Sequence, residues 1–262
     1  DNRRIRMPRG KTLGGSSSIN GMVYVRGHGS DYDQWRQMGN TGWGWDDVLP
    51  IFKRSENYYK GADAMHGASG EWRVEQQRLS WELLETFREA AAQTDIPNTD
   101  DFNRGDNEGC GYFDVNQKRG VRWNASKAFL HPIIKRPNLR VITKAQVKKL
   151  RLENKRVVGV EFYQGNDIHF AAVNIETILA AGTIGSPQIL QLSGIGPAAL
   201  LQQHGIPVVH DVTGVGENLQ DHLQLRMIYK VKNLQTLNTI ANSISGKISM
   251  GLEYAFKRRG PL

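Results

Sequence analysis

Between Asn138 and Gly182, polar and apolar residues alternate through a long run, interrupted by turn signals at Glu153-Asn154-Lys155 and at Gln164-Gly165-Asn166-Asp167. A period of two that resumes after each turn predicts one strand after another, a β-meander. The run closes on the apolar segment Ile175 to Leu179 and then Ala180-Ala181-Gly182, after which SPQILQLSG takes helical spacing. This predicts a buried strand feeding a glycine-containing loop and a helix. Such a loop leaves backbone N–H groups unpaired at the helix start, and its missing Cβ atoms let a flat or anionic ligand come close. A second helix (PAALLQQHG), a short strand (PVVHD) and a loop (GVGENLQDH) follow.

A second small-residue loop stands near the start, GKTLGGSSSINGMVYVRG, Gly10 to Gly27. It is read either as a hinge or as a backbone surface that something lies against, and either loop alone is as well explained as an ordinary turn. Beyond it, GSDYDQWRQMGN predicts a short helix capped by Ser30 with Asp33 three residues on, ending at Gly39. TGWGWDDVLPIFKRSENYY predicts a helix with Val48, Ile51, Phe52 and Ser55 on one face and Pro50 near its first turn, with Trp43 and Trp45 as packing wedges. SWELLETFREAAAQTD predicts a helix capped by Ser80, with Leu83, Leu84, Phe87, Ala90 and Ala91 forming the apolar stripe. Residues 95–120 read as Asn-, Asp- and Gly-rich loops around a strand such as GYFDVNQ. NASKAFLHPIIKRPN reads as a short helix that stops, or turns irregular, at Pro132.

Composition narrows the chemistry. The chain has 262 residues and a net charge of +8, with one cysteine. No apolar stretch approaches the roughly 20 residues of a membrane span. One cysteine rules out an intrachain disulfide or an all-cysteine metal site, and Cys110, between glycines, reads as a small residue in a tight turn. The basic excess lies near the two ends, without a basic helix interleaved with aromatics or a zinc-finger spacing, so it reads as solvated surface rather than a nucleic-acid interface. Contact with anionic lipid or phosphate is the remaining use for it. The start, Asp1-Asn2-Arg3-Arg4, has neither Met nor an apolar leader, which reads as an internal start.

Taken together, GKTLGGSSSINGMVYVRG and GTIGSPQILQLSGIG (Gly182 to Gly196) closely resemble the two signature sequences of the glucose–methanol–choline (GMC) oxidoreductases. HGASGEWRVE, GVRWNASKAFLHP, RPNLRVITKAQV and GVGENLQDH match as well, so the resemblance covers practically the whole chain. Within that family it looks most like the bacterial alcohol and choline dehydrogenases.

The resemblance implies an α/β protein with α+β elements: part of a Rossmann-like FAD-binding domain with a β-meander, plus part of a substrate domain. On that reading 1–60 attaches to the FAD domain and carries the flavin-facing loop, and 61–137 belongs to the substrate domain. Residues 138–222 form the FAD-domain core, and 223–262 begin a further substrate-domain segment. Ser16, Asn20, Gly21, Met22 and Val23 would contact FAD, several through the backbone. Val147 would meet the adenine through its backbone, and Ala181 and Gly182 would end a strand beside the dinucleotide. A side chain bonding its own turn is the competing reading of Asn20. Relatives with covalent flavin carry histidine where this chain has Ile19, which implies non-covalent FAD.

The implied activity is oxidation of a primary alcohol by hydride transfer to flavin N5, with oxygen, a quinone or another acceptor. A cyanohydrin-type lyase on the same scaffold and a non-enzymatic basic binding module are the alternatives. The family's glycine-rich pyrophosphate turn and its catalytic histidine match nothing here, so the chain reads as the middle of a longer polypeptide with no catalytic residue of its own and no metal site. GVGENL lacks the third glycine of such a turn. Of seven histidines, His66 and His131 fall in turn-like strings, His169 in a strand and His204 at a helix end, all read as structural or solvated. His222 is the most site-like, and bracing its loop is the expected role. The implied location is the cytoplasm or the periphery of the inner face of a bacterial membrane.

Overall fold

The computed structural model describes residues 4–260, divided into two compact units. One combines Asp1–Leu139 with Lys230–Leu262, and the other is Arg140–Tyr229.

In the first unit, the serine-rich run forms a 3-10 turn, Gly15–Ser18, entered through Gly14 at φ 92°. Helices α1 (Gly29–Gln37) and α2 (Trp45–Ser55) follow. The cap of α1 is His28 rather than Ser30: His28 Nδ1 accepts from Ser30 N at 3.3 Å, and Asp31 Oδ2 accepts from His28 N at 3.0 Å. Asp33, read from sequence as the capping carboxylate, instead accepts from Trp45 N at 3.0 Å and ties α1 to the start of α2. Tyr32 packs against Trp35, Trp45 and Phe52, and Trp35 meets Trp43 edge to face, so both glycine-flanked tryptophans do pack this corner. Pro50 lies inside α2, beyond its first turn. The N–H it lacks is the one that would reach the carbonyl of Asp46, an exposed residue that water can satisfy. Val48 is buried but Ile51 is exposed, so the apolar face of α2 is narrower than its spacing suggests.

Strand β1 (Glu56–Tyr58) pairs in parallel with β2 (Trp72–Gln76), and β2 pairs antiparallel with β3 (Asp114–Val115) across the intervening helix α3 (Glu82–Ala92). The residue before α3 is Trp81 in an extended conformation with no side-chain cap, so Ser80 does not cap it; Glu82 and Glu85 supply negative charge to the first turn instead. Phe87 and Ala90 are exposed, which removes them from the expected stripe. A tight hairpin, β4 (Gln117–Lys118) and β5 (Val121–Arg122), turns through Arg119 and Gly120, both at positive φ. The stretch around Pro132 is irregular, a π turn at Ser126–Leu130 running into a 3-10 turn at His131–Ile133.

The second unit is led by the meander: β6 (Ala145–Glu153), β7 (Arg156–Gln164) and β8 (Asp167–Ala172), all antiparallel neighbours. Its turns fall at Asn154-Lys155 and Gly165-Asn166, where the sequence places them. Gly159 on β7 makes room for the Phe170 ring of β8, whose tip would lie 2.1 Å from a Cβ there and would have to turn away. Helix α4 (Gly182–Leu192) lies against β6, where Ser193 Oγ accepts from Leu150 N at 2.8 Å. A parallel pair, β9 (Ile195–Gly196) and β10 (His210–Asp211), brackets α5 (Ala198–Gln203). Leu150, Phe162, Ile189 and Leu201 form the core of this unit.

The expected buried strand at Ile175 to Leu179 is not formed. The segment has no ladder partner among the described residues, and Ile175 and Ile178 are 85% and 83% exposed. Its apolar character therefore reports a surface left uncovered, not a core strand.

The chain then returns to the first unit with α6 (Leu237–Ala241) and α7 (Ile244–Lys257), each capped at its start by a hydroxyl, Thr236 and Ser243. Gly260 N donates to Arg78 O at 3.3 Å, fastening the end of this segment.

Candidate functional site

The small-residue run is folded on itself by its own hydroxyls. Gly10 N donates to Ser16 Oγ at 3.2 Å, and Ser18 Oγ donates to Leu13 O at 3.0 Å. Gly10 admits no side chain, since a Cβ would sit 2.0 Å from Gly15 O, and Gly14, at φ 92°, favours glycine as well. A second layer comes from residues 122–125. Ser17 Oγ accepts from Ala125 N at 2.9 Å, Ser18 Oγ accepts from Asn124 Nδ2 at 2.9 Å, and Arg122 Nη1 donates to Ser17 O and to Asn20 Oδ1. A hinge would not be tied this way. The run is a fixed strip.

Asn20 Oδ1 also accepts from Met22 N at 3.1 Å, so this side chain does close its own turn, and Met22 is held at φ 63°. After the turn the strip runs beside β3. Asn116 N donates to Met22 O, Tyr24 N donates to Asp114 O, and Val23 bridges Val115. What the strip leaves open is its other side. Ser16, Asn20, Gly21 and Val23 are exposed, Met22 is half-buried, and nothing lies within 4 Å of a Cβ built on Gly15 or Gly21. The Ser17 and Ser18 hydroxyls turn to residues 124 and 125 behind the strip, and the backbone at Gly21 is open.

The other sequence-identified residues lie in the second unit. Val147 is half-buried on β6, at a register shift in the β6–β7 ladder. Ala181 N donates to Ser186 Oγ at 3.0 Å, and Gly182 opens α4 at φ 86° with nothing within 4 Å of a built Cβ. The start of α4 is thus a second place where bare backbone meets open space. At Gly15, Gly21 and Gly182 a Cβ would meet nothing within 4 Å, so the backbone at these three positions is open to approach.

The sequence reading missed a buried polar circuit in the first unit. His66, expected to be structural or solvated, is fully buried, with Nδ1 3.0 Å from Glu56 Oε1 and Nε2 2.9 Å from Asp101 Oδ2. Arg26 Nη2 donates to Glu56 Oε2 at 2.8 Å, and Arg26 N donates to Asn103 Oδ1 at 2.8 Å. Asn103 N donates to Asp101 Oδ1 at 2.8 Å, which closes the circuit His66–Glu56–Arg26–Asn103–Asp101. All five residues are buried. Burial lowers the His66 pKa, but the two carboxylate hydrogen bonds outweigh it and push it up to about 9. Burial likewise raises Asp101, and its bonds to His66 and Asn103 outweigh that and hold it at about 2. These residues are up to 77 positions apart, and no local spacing announces them. The one sequence signal is Asp101-x-Asn103, the pattern of an Asx turn.

The remaining candidates have structural places. His131, His204 and His222 are exposed, and His169 stacks on Phe162. At His222 the backbone N, not the ring, donates to Asp221 Oδ1, so the ring does not brace the loop as expected. Cys110 bridges Asn98 in a tight loop, where a Cβ at Gly111 would lie 2.1 Å from Thr99 O. Among the described residues, no group of three or more His, Cys, Asp or Glu is placed to hold a metal, and no helix is long and apolar enough to cross a membrane. A basic cavity of about 420 Å³ in the first unit, lined by Arg78, Arg88, Lys257 and Arg259 among others, includes none of the strip residues.

Residues 1–224 match the family model described as GMC oxidoreductase. The oxygen-dependent choline dehydrogenase of Brucella anthropi is 44% identical over 258 residues, covering 98% of this chain and 47% of that protein. That of Sinorhizobium fredii is 47% identical over 224 residues, covering 86% and 41%. Among solved structures, an FAD-dependent oxidoreductase from Chaetomium thermophilum superposes with a TM-score of 0.88 at 28% identity, covering 99% of this chain and 48% of that one. A fungal aryl-alcohol oxidase gives 0.85 at 26% identity, covering 97% and 47%. The chain spans about half the length of the curated relatives it matches.

Proposed function

From the premise that the chain belongs to the GMC oxidoreductase family, we propose that it supplies the flavin-facing part of an enzyme that oxidises a primary alcohol, with choline as the first candidate. The observation that carries this reading is the strip of exposed backbone at Ser16–Val23, stiffened from behind by Arg122, Asn124 and Ala125 and left without side-chain bulk at Gly21. FAD is the cofactor that the family and its structural neighbours indicate.

In this reading Ser16, Asn20, Gly21, Met22 and Val23 hold the flavin end of FAD, while Val147, Ala181 and Gly182 hold the dinucleotide end. When bound, FAD supplies the hydride acceptor for the alcohol α-carbon. The strip's part is to orient: its fixed backbone leaves little reorganisation to be made when substrate arrives. Ile19, exposed and aliphatic, offers no nucleophile for a covalent flavin link, so the attachment is non-covalent. The general base that takes the hydroxyl proton lies in the part of the relatives' length that this chain does not span. On this proposal residues 1–60 attach to the FAD domain and carry the flavin-facing loop, 61–137 belong to the substrate domain, 138–222 form the FAD-domain core, and 223–262 begin a further substrate-domain segment.

The experiment is anaerobic mixing of the full-length gene product with choline and with a panel of primary alcohols. Bleaching of the flavin absorbance, restored by oxygen or an artificial acceptor, supports the reading. Persistent oxidised flavin with every alcohol rejects it.

A further inference from the structure

We propose that His66, as an imidazolium held between Glu56 and Asp101, positions the flavin-facing strip through Arg26. This rests on the reading of Ser16–Val23 as that strip. Both ring nitrogens of His66 face carboxylate oxygens, at 3.0 and 2.9 Å. A carboxylate only accepts, so both contacts are hydrogen bonds only when the ring carries both protons. Charge agrees with this: Arg26 and an imidazolium at His66 balance Glu56 and Asp101 among the buried groups, while Arg104 pairs with Asp101 from an exposed side chain.

The circuit ends on the backbone that continues directly from the strip, at Tyr24 and Arg26. Arg26 N and Tyr24 O are both held by the Asn103 carboxamide, at 2.8 and 3.1 Å. The Arg26 guanidinium adds Met65 O, and the backbone then continues back through Val23 and Met22 along β3. Loss of the second proton on His66 turns one of its contacts into a meeting of two acceptors, and the displaced carboxylate carries either Arg26 or Asn103 with it. Both lead to the strip.

The other groups facing His66 do not provide a substitute. Tyr58 stacks on the ring with centroids 3.8 Å apart, and burial pushes its phenol upward, so it stays neutral while donating to Asp114. The Asp63 carboxylate is taken by the backbone N–H groups of Met65 and His66. Arg104 Nε reaches Asp101 Oδ2 at 3.2 Å from an exposed side chain. Tyr24, raised to about 12 chiefly by burial, also stays neutral. His66 is thus the group in the circuit whose charge changes in the mildly alkaline range.

The test uses the full-length, flavin-loaded protein. Flavin fluorescence, which rises on release, and far-ultraviolet circular dichroism are followed together from about pH 7 to about pH 10.5, a range bracketing a raised histidine. The native protein is expected to release flavin with a midpoint near the His66 value of about 9, ahead of any loss of helix signal. Asp101→Asn is expected to abolish that step, because its amide donates to a neutral ring and keeps the circuit closed. His66→Ala is expected to hold flavin roughly tenfold more weakly at neutral pH, since it leaves two buried carboxylates short of a partner. A native protein that keeps its flavin across the whole range, or a step that survives unchanged in Asp101→Asn, overturns the proposal whether or not His66→Ala folds. A native protein that binds no flavin at any pH overturns the reading of the strip itself, and is told apart by that.

Discussion

The ring of Tyr58 lies face to face with that of His66, 3.8 Å between centroids and 15° between planes, while the Tyr58 hydroxyl donates to Asp114. An aromatic face against a charged imidazole adds attraction to the two carboxylate bonds. The pH dependence of stability follows with a definite sign. His66 is raised in the folded state to about 9, so its contribution is complete below its unfolded value near 6.5 and is lost as pH rises through about 9. Asp101 is depressed to about 2, so its contribution is present above its unfolded value near 3.8 and is lost as pH falls toward about 2. Denaturant unfolding of the full-length protein should therefore show a plateau between about pH 4 and about pH 6.5, with a decline through neutral pH toward about 9 and another toward about 2. His66→Ala should cost about 3–5 kcal/mol on the plateau, as when one partner leaves a buried ion pair, and should flatten the alkaline decline.

Arg122 reaches across 102 positions to Asn20 Oδ1, at 2.8 Å, and across 105 to the Ser17 carbonyl, at 3.1 Å. It braces the strip without facing its open side. Arg122→Ala should cost about 1–3 kcal/mol in stability, the range for hydrogen bonds to a charged donor, and should weaken flavin retention. Arg122→Lys should restore little, because an ammonium lacks the planar fork. The check is flavin content per polypeptide beside a denaturant midpoint; full flavin content in Arg122→Ala would show that the strip does not depend on this brace.

Ile19 bears on flavin chemistry. If the flavin is held only by non-covalent contacts, acid precipitation of the full-length protein should leave all of the yellow colour in the supernatant. Colour remaining in the washed pellet would contradict the non-covalent assignment.

Much of the fold was legible where the signal was local. The meander and both of its turns follow from alternation and from turn residues at 153–155 and 164–167, and α4 and α5 from apolar spacing. Caps were less legible, because His28 and Ser30 are both able to cap α1, and the choice was made by where Asp31 and Asp33 find donors. Ile175 to Leu179 misled for a different reason: apolar composition records a need for cover, not the presence of it. The circuit around His66 was invisible, since each of its links joins segments brought together only by the finished fold. The strip was recognised by its residue types, but its rigidity was not, because the bonds that stiffen it come from residues 122–125.

The most direct measurement concerns Gly21. A Cβ added there meets nothing within 4 Å, and its backbone lies outside the left-handed region that favours glycine. Gly21→Val should therefore change the stability of the protein by no more than about 0.5 kcal/mol, as for other open positions. If the strip faces the flavin, the same substitution fills the space the flavin occupies. The full-length variant should then purify folded with flavin content at least about tenfold below native, equivalent to about 1.4 kcal/mol or more of lost binding. A folded Gly21→Val protein carrying the native complement of flavin would contradict the account.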